Sequence, residues 1–188
     1  MSPLLQMDEG QVQSFIYGRA LAHPGFRAVI AVSVEKYPSG FSAIIWVGQE
    51  PTTEMRQFAY DLESELANLG IACTIIVKTD RELPFGGRYE LQTERGPFTY
   101  RYYRIDPVKD EDLVYIFVLY KGASTYRFRL SLTGTLASML RARNKIDEDR
   151  ILEVYLDRIK ALLASEVTPE KVYDVMFSSK DLRLFAGD

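Results

Sequence analysis

Three short stretches place charged, aromatic and small residues at spacings that suit ligand binding: Tyr100-Arg-Tyr-Tyr-Arg104, Tyr126-Arg-Phe-Arg129 and Ser131-Leu-Thr-Gly-Thr135. Successive side chains of an extended strand point to opposite faces. Tyr126, Phe128 and Leu130 therefore go one way, and Arg127, Arg129 and Ser131 the other. Thr133, Gly134 and Thr135 open a helix directly behind the two arginines, and the N–H groups and positive dipole end of a helix start favour an anion. With Arg101 brought in by a neighbouring strand, Arg101, Arg127, Arg129, Thr133, Gly134 and Thr135 make a candidate site for a phosphate or carboxylate. Arginines interleaved with aromatics also occur on single-stranded nucleic-acid platforms, and Tyr and Arg anchor protein interfaces well. The Gly-aromatic signature of the RNA-recognition fold is missing. The plain alternative is an amphipathic sheet whose aromatics enter the core, while its arginines pair with Asp106, Asp110, Glu111 or the acidic C-terminal helix.

Other chemistry finds less support. The chain has one cysteine and one histidine, which excludes zinc fingers and multi-histidine centres. Cys73 lies in the apolar run from Ile71 to Val77 and reads as a structural thiol in a core strand, because buried free cysteines behave as small hydrophobes. His23 precedes Pro24-Gly25, where a helix-ending turn accounts for it. Asp110-Glu-Asp112 reads as a solvated turn, and Asp147-Glu-Asp149 as the favourable negative first turn of a helix. No Walker A or dinucleotide fingerprint is present. The turn Val47-Gly-Gln-Glu-Pro-Thr-Thr53 puts Glu50 and Glu54 where a phosphate needs neutral or positive surroundings. The strand-hairpin-helix-strand order of residues 27–78 is similar to that of small nucleotidyltransferase domains. Its second strand, Ser42-Ala-Ile-Ile-Trp-Val47, carries no carboxylate, and two-metal phosphoryl transfer needs several, so that reading fails. No catalytic residue, metal or cofactor is assigned.

The elements that must position these residues follow from hydrophobic periodicity. A helix over Glu9 to Ala22 has Asp8 and Gln11 as a capping box and Met7 stapling onto Val12. Arg27 to Glu35 and Phe41 to Val47 read as a hairpin around Tyr37-Pro-Ser-Gly40. A helix capped by Thr52 or Thr53, with Met55, Phe58, Ala59, Leu62 and Leu66 on one face, leads to Gly70 and a strand from Ile71 to Lys78. Phe41 to Lys78 is thus a β-α-β unit with parallel strands. Beyond Gly86-Gly87 the pattern becomes a meander: Arg88 to Gln92, Phe98 to Ile105, Leu113 to Lys121 and Thr125 to Leu132. Short links imply antiparallel pairing, with Leu113 to Tyr120 central. Three helices complete the chain, about Thr135 to Arg143, Glu148 to Ser165 and Pro169 to Met176. Asp147 caps the second helix, Ile146 and Ile151 form its staple, and Thr168-Pro169 begins the third.

The fold class expected is α+β: an α-β-β-α-β half over residues 1–83, then an antiparallel meander with C-terminal helices packed on the sheet over residues 84–188. At 188 residues, 47% hydrophobic and 26% charged, the composition is globular. The net charge of −3 is uneven. Residues 1–80 carry 5 basic and 9 acidic groups, residues 81–145 carry 12 and 7, and residues 146–188 carry 6 and 10. No apolar run approaches the roughly 20 residues of a membrane span. The N-terminus has no signal-peptide pattern, and an unpaired cysteine suits a reducing compartment, so a cytoplasmic location is expected. The function expected is that of a noncatalytic, soluble binding or adaptor protein whose partner is another protein or a second copy of itself, without membrane contact. The alternative is nucleic-acid or phosphate-ligand binding through the basic sheet face, and the third reading is an enzyme with an unrecognised carboxylate site.

Overall fold

The computed structural model describes residues 6–26, 28–105, 112–144, 146–165, 167–169 and 171–186. It is an α+β protein with two separately hydrogen-bonded sheets, in two compact units, Met1–Leu83 and Pro84–Asp188. Arg27, the Asp106-Pro107 link, Asp110 and Glu111 lie outside the described residues.

In the first unit, α1 (Glu9–Ala22) starts at Asp8, whose carboxylate accepts from Gln11 N while the Gln11 side chain accepts from Asp8 N, the reciprocal cap expected. Strands β1 (Val29–Tyr37) and β2 (Gly40–Val47) form the hairpin; α2 (Thr53–Asn68), capped by Thr52, then crosses to β3 (Cys73–Thr79), parallel to β2. Val12, Ile16 and Ala20 of α1 and Met55, Ala59, Leu62 and Leu66 of α2 share a core with Val32, Ala43, Ile45, Val47, Ile75 and Val77 of the sheet. Both helices therefore lie on one sheet face. Gly40 has φ +145° and a Cβ there would sit 2.4 Å from the Ala72 carbonyl oxygen, so the hairpin meets the start of β3 more closely than any side chain permits. A 3₁₀ turn over Asp80–Glu82 ends the unit.

In the second unit, β4 (Tyr89–Thr93), β5 (Gly96–Ile105), β6 (Leu113–Lys121) and β7 (Ser124–Leu132) form the antiparallel meander, with β6 central as its unbroken apolar and aromatic run requires. Helices α3 (Gly134–Ala142) and α4 (Glu148–Leu163) follow, and the latter is capped by Asp147. Leu136, Leu140, Ile151, Val154, Tyr155, Ile159 and Leu163 pack against Phe98, Tyr115, Phe117, Phe128 and Leu130 of the sheet, placing the C-terminal helices on one face.

The third expected helix, Pro169 to Met176, is wrong. Residues Val172–Phe177 form strand β8, parallel to β7 and completing a five-stranded sheet, before the short α5 (Leu182–Ala186). Thr168-Pro169 imitates a helix start, but Val172, Tyr173, Val175 and Phe177 are β-branched or aromatic. The open edge of β7 offers them a ladder that no local rule can see.

Candidate functional site

The pairing register decides which predicted site residues meet. Arg101 on β5 stands opposite Val118 on β6, which stands opposite Arg127 on β7; one row along, Tyr103, Ile116, Arg129 and Asp174 line up across four strands. The three arginines share one face of the second sheet, in adjacent rows. Each is engaged. The Arg101 guanidinium lies 4.8 Å from the centre of the Phe85 ring and donates to the Phe85 carbonyl at 3.5 Å. Arg129, whose side chain is 12% exposed, pairs with Asp174 at 3.4 Å. Arg127 also has a partner interaction. Of the aromatics in the two Tyr-Arg stretches, only Tyr103 is on this face by register; Tyr100, Tyr126 and Phe128 belong to the core against the helices.

The start of α3 is equally occupied. Thr133 accepts from Leu136 N at 3.2 Å as N-cap, and Gly134 N donates to Asp112 Oδ1 at 3.0 Å, while Thr135 is exposed. Asp112 is therefore more than part of a solvated turn. Its carboxylate sits at the positive end of a helix dipole, where an external anion would have to displace it.

Cys73 and His23 occupy two open clefts of the first unit. His23 ends α1, its Nδ1 accepts from Gly25 N at 3.1 Å, and its ring packs 4.8 Å from Phe58 and 5.8 Å from Phe26. Beside it, a cleft of about 550 Å³ is bordered by Glu54, Gln57 and Asp61, whereas Arg19 makes a two-pronged pair with Glu65 at 2.6 and 2.8 Å.

The second cleft, about 630 Å³, lies between α2, the β1–β2 hairpin and the beginning of β3. Cys73 opens onto it half-buried, in strand β3 and packed against the core as a structural thiol of a core strand, with one side reaching the cleft. The cause is local: Gly40 and Ala72, at their close approach, supply almost no side chain to close that end of the core. Burial, and secondarily the Glu63 carboxylate, push the Cys73 thiol up to about 11, so it stays protonated at neutral pH. Glu63 accepts from Ile75 N at 2.6 Å and so occupies an amide of the edge strand β3. Tyr37 and Tyr60 flank the opening, 48% and 65% exposed. Sequence reasoning missed Tyr37, Tyr60 and Glu63 because they come from two different elements and share no motif spacing. Their one faint signal was Tyr60 on the polar side of an otherwise regular helix, where packing does not require an aromatic.

Among the described residues, no group of three or more His, Cys, Asp or Glu side chains is placed to hold a metal ion, and no helix is long and apolar enough to cross a membrane. Compared with known proteins, the chain matches no family, no curated protein and no solved structure.

Proposed function

We propose that this chain is a noncatalytic binding protein, an adaptor that holds another protein through the cleft between α2 and the β1–β2 hairpin. The observation that carries this reading is the pair of exposed tyrosines, Tyr37 and Tyr60, on either side of an open cleft of about 630 Å³. Tyrosine gives a large contact area for little conformational entropy and is enriched where interfaces are strongest. A lining that includes a protonated thiol, Phe41 and Ala67 suits contact better than nucleophilic chemistry.

The test is comparative capture. Wild-type protein and the double variant Tyr37→Ser/Tyr60→Ser are used as bait in extract from the source cells, after confirming equal melting temperatures. A specific partner held by the wild type should be lost from the variant, because removing two anchor tyrosines costs about 2 kcal/mol or more of binding. Identical sets of captured proteins, or none for either bait, would reject the reading.

The second reading is anion or nucleic-acid binding through Arg101, Arg127, Arg129 and the Thr133-Gly134-Thr135 helix start. Its favouring observation is that the three arginines share one sheet face in adjacent rows.

A further inference from the structure

We infer that the tyrosine-flanked cleft receives a single basic side chain, arginine or lysine, presented by the partner polypeptide. This rests on the cleft being a protein contact site, and it specifies what the partner must bring there. Among the described lining residues, Glu63 is the one acidic side chain and there is no lysine, arginine or histidine. Glu63 uses Oε1 to accept from Ile75 N. The carboxylate is thus pinned by the backbone of β3, and its second oxygen has no hydrogen bond or ion pair to the described residues.

The neighbours strengthen the preference. The Tyr37 hydroxyl donates to the carboxylate of Glu35, which is not itself among the lining residues. A phenol that donates to an anion has a more electron-rich ring, and such a ring face attracts ammonium and guanidinium groups. At longer range, residues 1–80 carry 9 acidic and 5 basic groups, so the surroundings draw cations in and repel anions. The volume, about 630 Å³, accommodates an arginine with the residues on either side of it.

Cys73 is the chain's single cysteine and lies in the cleft, so its modification by N-ethylmaleimide reports occupancy directly. The probes are blocked pentapeptides, acetyl-Gly-Ser-Xaa-Ser-Gly-amide with Xaa as Arg, Lys, Glu or Leu, added to the full chain at matched ionic strength. The Arg and Lys peptides should slow modification saturably; the Glu and Leu peptides should not. Glu63→Gln keeps an oxygen for Ile75 N and removes the charge, so it should abolish protection without unfolding the protein. Each variant is compared with its own unprotected rate, because Cys73 reactivity itself depends on Glu63. Tyr60→Ser, at an exposed helix position, should weaken protection by about three- to fivefold, the range of an exposed cation–π contact. Equal protection by the Leu or Glu peptide, or undiminished protection of Glu63→Gln by the Arg peptide, would overturn the inference. If a partner is captured in a tyrosine-dependent way while no basic peptide protects Cys73, this inference falls and the adaptor reading stands. Protection by basic peptides without a captured partner leaves the chemical preference standing and removes the adaptor reading.

Discussion

Cys73 shows how a residue's surroundings set its chemistry. Half-burial and the Glu63 carboxylate both disfavour a thiolate, in that order, and hold the thiol up to about 11 instead of near 9. The thiolate fraction at pH 8 should then be about a hundredfold below that of an ordinary cysteine. Alkylation by iodoacetamide should rise through a midpoint near 11, and Glu63→Gln should lower that midpoint only in part, since burial is the larger cause. A midpoint below 9 would show an open, unperturbed thiol. The same shift is a stability statement: the folded chain holds this proton more tightly than the unfolded one. The contribution is therefore full below the ordinary thiol value and is lost as pH rises through about 11. At this scale the sequence was legible where the cause was local. Asp8 and Gln11 cap α1 because both partners lie within one turn, and Arg127 and Arg129 share a face because a strand alternates. The partners of Arg129 and Arg101 were not legible. Asp174, which pairs with Arg129, belongs to a strand that sequence reasoning made a helix, and Phe85, which engages Arg101, lies in an irregular stretch before β4.

Elements were readable where one periodicity dominates, as in α4, whose buried stripe of Ile151, Val154, Tyr155, Ile159 and Leu163 covers the sheet. The β2-α2-β3 crossover and the central position of β6 belong with it, since each follows from apolar patterning together with link length. Strand β8 was unreadable for the opposite reason. It is an edge strand of mixed exposure, and its identity depends on the free side of β7 some forty residues earlier. The Tyr37–Tyr60 cleft shares that dependence, because the meeting of a hairpin turn, a helix face and a strand start is a property of the packed unit. Within α4, Tyr155 is fully buried against Tyr115, Phe177 and Phe185, yet its hydroxyl has no hydrogen-bond partner among the described residues. Burial pushes its phenol up, so no phenolate forms there. Deleting an unsatisfied buried hydroxyl removes a desolvation cost, so Tyr155→Phe should leave stability unchanged or raise it by about 1 kcal/mol. In contrast, Ile159→Asp places a charge in the same core and should cost several kcal/mol. Urea unfolding of the three proteins measures both effects. A loss of more than about 1 kcal/mol in Tyr155→Phe would show that the hydroxyl is bonded, and an unaltered midpoint in Ile159→Asp would show that the stripe is not core.

At the scale of the whole molecule, the uneven charge separates the two functional readings. A net charge of −3 opposes approach of a polyanion, whereas the block of residues 81–145, with 12 basic and 7 acidic groups, favours it locally. A single-stranded nucleic-acid platform needs phosphate-binding cations and open aromatic rings on the same surface, because stacking on those rings supplies about 1–3 kcal/mol per base. Here the sheet separates most of them. Arg101, Arg127 and Arg129 occupy one face with Tyr103 as the one aromatic of these stretches beside them, while Tyr100, Tyr126 and Phe128 are buried in the core under the helices. The guanidinium groups of Arg101 and Arg129 are also engaged by Phe85 and Asp174, Arg127 has an interaction of its own, and the first amide of α3 is held by Asp112. An incoming phosphate would have to replace contacts already made, and the exchange returns little. The expected outcome is that the wild-type protein binds neither short single-stranded RNA nor single-stranded DNA at low salt, as read by fluorescence anisotropy. Binding that falls steeply with salt, and that disappears in a folded Arg127→Gln/Arg129→Gln variant, would reverse the order of the two readings, because only phosphate contacts release counterions in that way. Asp112→Asn refines the comparison. It removes the carboxylate from the start of α3 but keeps an oxygen for Gly134 N, so a gain of phosphate binding in that variant would locate a latent anion site at the Thr133-Gly134-Thr135 helix start that the wild-type chain occupies with its own side chain.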